Sequence, residues 1–154
     1  MAVKLGLGTQ LRALMTKLDG DVQTIYDEAG LPFRPRFFPI VQHLLGHGPA
    51  TVTALARAIG VSQPAATQTL REMAKLGLVD GQAGADARER LIGLSDRGAE
   101  LADQLTPIWN AVREAAEELD RQLPHPLSQT VQSALAALDN EPFRERIRRR
   151  LDLA

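Results

Sequence analysis

The 154-residue sequence contains no cysteine, which excludes disulfides, thiolate metal sites, nucleophilic cysteine chemistry and cysteine-based peroxide sensing. Aromatic residues make up only 4% of it, and no residue run is apolar enough to span a bilayer. The N-terminus lacks the continuous apolar region of a signal peptide, so a cytoplasmic protein with no membrane partner is expected. Catalytic signatures are missing too. There is no Ser-His-Asp spacing, no glycine-rich phosphate loop after a strand and no cluster of metal ligands. Glu117 and Glu118 are adjacent, so on a helix they point in different directions. His43 and His47 stand four apart, a spacing that can flank a metal. Gly46 and Gly48 should end that helix, however, and no carboxylate lies nearby. Neither an enzyme, nor a cofactor, nor a metal site is expected.

The length suits one compact domain with a sizeable core, and the apolar and charged fractions are ordinary. The formal net charge is −1, which argues mildly against nucleic acid, but the distribution matters more than the sum. Residues 51–93 carry Arg57, Arg71, Lys75, Arg88 and Arg90 against Glu72, Asp80, Asp86 and Glu89, a balance of +1. Residues 94–154 balance to −3.

The most informative stretch is Thr51 to Leu94. Thr51 is a good N-cap. Leu55, Ala56 and Ile59 follow at helical spacing, and Gly60 suits the left-handed residue that closes a helix. Ser62 then caps a second helix, with Pro64 in its first turn. Helices joined so tightly cross steeply. Ala56 and Gly60 are expected to supply the small contact. Leu55, Ile59, Val61, Ala66, Leu70 and Met73 are expected to form the seam.

On the second helix, burying Ala66, Leu70 and Met73 turns Ala65, Gln68, Glu72 and Lys75 outward, with Pro64 and Arg71 beside them. Gln63 and Thr67 flank the N-terminal end, the end of a recognition helix that meets base edges. Gln can bond adenine N6 and N7, whereas Ala and the Thr methyl can pack on a thymine methyl. Arg71 and Lys75 suit phosphates. A solvated helix face is the plain alternative, and it fits Glu72 well.

After Leu78 the period becomes that of a strand. Residues 78–82 and 88–94 can pair across the small residues 83–86. Such a wing would carry Arg88 and Arg90 toward a narrow minor groove, with Asp86 holding Arg88 in direction. An ordinary surface hairpin is the alternative.

These features together resemble the multiple antibiotic resistance regulator (MarR) family. The likeness rests on LARAIGVSQPAATQTLREMAKLGLV, on Asp86-x-Arg88, and on Leu94-Ser95-Asp96-Arg97-Gly98 opening the next helix. It implies a mainly α fold with a small β-hairpin wing, a winged helix-turn-helix between N- and C-terminal dimerisation helices. One domain over 1–154 is expected, with support helices at 9–50, the winged helix at 51–94 and further dimerisation helices at 95–154. The family implies a homodimeric, ligand-responsive transcriptional regulator, often a repressor, on a pseudo-palindromic double-stranded DNA operator. The DNA-binding set is then Thr51, Ser62, Gln63, Ala65, Thr67, Gln68, Arg71, Lys75, Arg88 and Arg90, with Asp86 supporting the wing. Gln68 stands where many relatives carry Arg, and Asp80-Gly81-Gln82 where relatives are often basic.

Residues 9–29 read as an amphipathic helix with Leu11, Leu14, Leu18, Val22, Ile25 and Tyr26 in one stripe, needing a partner surface. Most of the aromatic residues lie nearby, and Tyr26, Phe33, Arg36, Phe37 and Trp109 could line a pocket for a small aromatic or anionic effector, with Arg34 or Arg36 facing an anion. The same rings could equally be core. Ser95 should cap a helix to about Leu123, kinked at Pro107, followed by helices from Leu127 and from Pro142. The last carries five arginines on one side, either solvated or paired with the acidic stretch 114–120. The competing function is a winged-helix protein-interaction module with weak or no DNA binding, suggested by the low charge of the wing.

Overall fold

A computed structural model of the protein describes residues 6–84, 86 and 90–151, with the backbone alone at 82 and 83. Seven α-helices and one two-stranded antiparallel hairpin make up these residues. They fall into two compact units, 1–108 and 109–154.

In the first unit, α1 spans Leu7–Glu28 and closes with Leu31 N–H bonding back to the Tyr26 carbonyl, so Pro32 meets a chain already turned away from helix. A single 3₁₀ turn at Pro35–Phe37 leads into α2, Phe38–His47. Pro35 and Pro39 both sit in first turns, where a missing N–H leaves no broken bond. Three rings close this corner. Tyr26 and Phe33 meet edge to face at 5.3 Å, as do Phe33 and Phe37 at 5.6 Å, and all three are buried. Each such pair contributes about 0.5–1.5 kcal/mol beyond its burial. Ile40, Val41 and Leu44 of α2 extend the core.

Helix α3, Val52–Ile59, is capped by Thr51, whose Oγ1 accepts from Ala54 N–H at 3.1 Å. Gly60 ends it at φ +72°, and Val61 N–H returns to the Ala56 carbonyl. The expected packing role of Gly60 is not what is found: a Cβ there would meet nothing within 4 Å. Its left-handed backbone is what demands glycine. Val61 is likewise exposed rather than in the seam. The seam proper is Leu55, Ala56, Ala66, Leu70 and Met73, all buried, with α4 spanning Gln63–Lys75.

Strands β1, Val79–Ala83, and β2, Arg90–Leu94, pair in a register running from Val79 opposite Leu94 to Ala83 opposite Arg90. Residues 88 and 89 of the expected second strand lie outside the described residues. Ala50, just before α3, exchanges two hydrogen bonds with Ile92. That bridge ties the base of the hairpin to the start of α3, a tie with no signal in the sequence. Helix α5, Asp96–Gln122, begins at Ser95 and continues through Pro107. Ser95 Oγ accepts from Gly98 N–H and donates to the Gly77 carbonyl, while Ser95 N–H bonds Leu78. Gly98 is buried against Leu78, and a Cβ on it would lie 2.0 Å from the Leu78 carbonyl oxygen. No other residue type lets α5 start there.

The second unit holds the end of α5 with α6, Leu127–Asn140, and α7, Phe143–Arg150. Asp120 accepts from both the N–H and the hydroxyl of Ser128, which holds its carboxyl below the usual range and fixes the turn into α6. The arginines of α7 pair close by: Arg146 and Arg149 with Glu141, Arg144 and Arg148 with Glu145. No pair with residues 114–120 is found among the described residues. Val131, Leu135, Phe143 and Leu151 leave their apolar groups exposed. On α1 of the first unit, Leu11, Met15 and Leu18 do the same.

Candidate nucleic-acid interface

The exposed end of α4 is built by its cap and its buried stripe. Ser62 Oγ accepts from Ala65 N–H at 3.3 Å, which fixes where the helix begins. Ala66, Leu70 and Met73 then lock its rotation. Gln63, Pro64, Ala65, Gln68, Arg71 and Lys75 are left in solvent, with Thr67 half-buried beside them. The face is neutral at its N-terminal end and cationic further on. Unpaired backbone N–H groups there give it a partial positive charge in addition.

Thr51 and Ser62 are both occupied as caps, although a hydroxyl that accepts one bond still has a proton to donate. Arg90 is exposed at the start of β2, opposite Ala83. Arg88 lies outside the described residues, and so does the expected bond between it and Asp86, which is itself exposed.

Glu72 departs from the solvated role that the sequence suggests. Its carboxylate is hydrogen-bonded and ion-paired to Arg36 on the 3₁₀ turn, and its side chain is only 29% exposed. The Arg36 bond is the main cause of a Glu72 pKa held below the ordinary carboxylate value, with charge from Arg36 and Arg34 acting in the same direction. Sequence spacing cannot reveal a pair separated by 36 residues; an acidic residue on an otherwise neutral and basic face was the one available sign.

The suggested effector residues divide. Tyr26, Phe33 and Phe37 are core, with Phe37 fully buried. Arg36 covers the Phe37 ring at 5.6 Å. Arg34 and Arg36 line an open cleft with Asp19, Gly20, Gln23 and Pro35. Trp109 lies at the start of the second unit, half-buried on α5. His43 and His47 stack at 4.5 Å, and His47 Nδ1 meets the His43 carbonyl at 3.2 Å. Among the described residues no three His, Asp or Glu side chains gather as a metal site. No helix among the described residues is long and apolar enough to cross a membrane.

The family model for the MarR family matches residues 31–89, the stretch from the first aromatic corner to the hairpin. That family consists of transcription regulators, not enzymes. No curated protein matches the chain. Among solved structures, S. aureus MepR in complex with DNA superposes with a TM-score of 0.69 at 16% identity, covering 89% of this chain and 98% of its own. The M. tuberculosis regulator MOSR, also in complex with DNA, gives 0.69 at 24% identity, covering 87% and 93%. NadR in complex with 4-hydroxyphenylacetate gives 0.60 at 19% identity, covering 90% and 95%. Residues 31–89 thus match the model of the MarR family, and the chain has the fold of MarR-family regulators.

Proposed function

We propose that the protein is a sequence-specific DNA-binding transcriptional regulator, a ligand-responsive repressor that acts as a homodimer on a pseudo-palindromic operator. The observation that carries this reading is the α4 face. It is rigidly capped, set by three buried residues, and presents two glutamines and a small side chain ahead of two cations. In this assignment Gln63, Ala65, Thr67 and Gln68 read base edges from the major groove, while Arg71, Lys75, Ser62 and Thr51 meet the phosphate backbone. Arg90, together with Arg88, enters the minor groove. MepR and MOSR, which share the fold, were solved with DNA.

The dimer accounts for the apolar side chains left in solvent on α1, and on α6 and α7. A two-fold pair places its recognition helices about 34–36 Å apart, one turn of DNA. A small aromatic or anionic effector is proposed at the cleft of Arg34 and Arg36, by analogy with NadR and its 4-hydroxyphenylacetate. It releases the operator only if it binds the DNA-competent and incompetent arrangements unequally.

Selection of bound duplexes from a random pool tests the reading. Enrichment of an inverted repeat with half-sites one turn apart supports it. A folded protein that enriches no sequence refutes it in favour of the protein-interaction module, which the exposed Asp80 on β1 suits better.

A further inference from the structure

We propose that Arg36 is shared between the cleft and the recognition helix: a small carboxylate bound in the cleft draws it from Glu72 and uncovers a negative charge on α4. The inference rests on the DNA-binding reading above and supplies the link by which an effector loosens the operator. The cleft has a volume of about 240 Å³, below the roughly 300–1,000 Å³ of drug-sized sites, so it suits a small ligand. One wall is α1, through Asp19, Gly20 and Gln23, and the other is the segment from Arg34 to Arg36. Gln23 Nε2 donates to the Phe33 carbonyl at 3.1 Å and holds the two walls together. Two arginines against Asp19 leave the lining cationic, and a guanidinium fork matches a carboxylate.

The same guanidinium already serves α4. It lies over the fully buried Phe37 ring and donates to the Glu72 carboxylate. That bond is the main cause of the lowered Glu72 pKa, so Glu72 is ionised at neutral pH. One guanidinium carries one positive charge. A second carboxylate therefore either takes Arg36 or divides its charge, and the two acids bind it antagonistically. Arg36 is half-exposed, so the exchange needs no opening of the core. Glu72 stands directly after Arg71 and three residues before Lys75, the two cations assigned to phosphates. Paired with Arg36, it leaves their field intact. Released, it offsets that field or pairs with Lys75 along the helix, and DNA binding weakens.

The test uses benzoate as the probe and neutral benzamide as its control. Isothermal titration calorimetry on the free protein reads binding, and fluorescence anisotropy of a duplex selected from a random pool reads the effect on DNA. Benzoate should bind wild type and weaken its hold on the duplex about fivefold, the low end of ordinary couplings; benzamide should do neither. Glu72→Gln should bind benzoate more tightly, by up to about fivefold, the worth of an exposed ion pair. Its duplex affinity should nevertheless change less than about twofold when benzoate is added. A Cβ at Gly20 meets nothing within 4 Å, so the side chain of Gly20→Leu enters the cleft and should abolish benzoate binding. Helical circular dichroism checks that the variants fold. The proposal is overturned if benzoate does not bind wild type, if it binds Glu72→Gln no more tightly, or if it still weakens duplex binding by that variant about fivefold. If wild type enriches a duplex and any of these results appears, this proposal alone fails. If wild type enriches none, the DNA-binding reading fails and this one with it.

Discussion

Replacing Gly98 with alanine should push the start of α5 away from Leu78, the buried residue just before β1. The added Cβ would lie 2.0 Å from the Leu78 carbonyl oxygen, 3.0 Å from its carbon and 3.3 Å from the Leu78 Cα. These are backbone atoms of a buried residue, so no flexible side chain can give way. Ordinary contact begins near 3.4 Å, and α5 must retreat by roughly 1.4 Å. Such a movement breaks the Ser95 N–H bond to Leu78 and pulls the Ser95 hydroxyl from Gly77. Overpacking costs about 1–3 kcal/mol, and each lost hydrogen bond adds about 0.5–1.5 kcal/mol. The higher helix propensity of alanine returns at most about 1 kcal/mol. The net loss is about 1–5 kcal/mol, read as a fall in the urea midpoint at unchanged slope. Gly20→Ala is the control: it sits within α1, and its Cβ meets nothing within 4 Å. It should stabilise by up to about 1 kcal/mol. A Gly98→Ala protein within about 0.5 kcal/mol of wild type would refute the close approach of α5 to Leu78.

Thr51→Ala and Ser62→Ala each remove a cap bond and should lower the unfolding free energy by about 1 kcal/mol apiece; unchanged midpoints would contradict the cap geometry. Arg71→Ala and Lys75→Ala should weaken binding to all sequences alike, each removing one phosphate contact per protomer and so flattening the log–log salt slope of the dimer by about 1.8. A sequence-dependent loss would instead place those cations on bases. Because Arg36 depresses the pKa of Glu72, the pair stabilises the fold at neutral pH, and that contribution fades as pH falls through the lowered folded value. Urea midpoints of wild type and Glu72→Gln should therefore differ at pH 7 and converge in acid; a gap independent of pH would mean that the ion pair is not its source.

Local chemistry made much of the fold legible. Thr51, Gly60, Ser62 and Pro64 act within a few residues of themselves, so their roles can be read directly, and the same holds for Ser95 as the start of α5. Features that depend on distant chain segments were hidden. The Ala50–Ile92 bridge joins residues 42 apart, and Arg36–Glu72 joins residues 36 apart. Gly60 shows a subtler limit: the residue was identifiable as a helix terminator, but whether it also packs on a neighbour depends on the crossing of α3 and α4, which leaves it exposed. The aromatic corner shows another. Rings that line a pocket and rings that fill a core have the same composition, and only the burial of Tyr26, Phe33 and Phe37 separates the two.

The central claim is that α4 and the wing bind duplex DNA through a dimer, and a salt titration of binding to the selected operator tests it most directly. Arg71 and Lys75 from each of two protomers neutralise about four phosphates, for which the log–log slope is about −3.6. A slope of that order, falling to about half on a duplex with one half-site destroyed, is the expected result. Binding that ignores salt, or that is indifferent to loss of a half-site, would contradict the account.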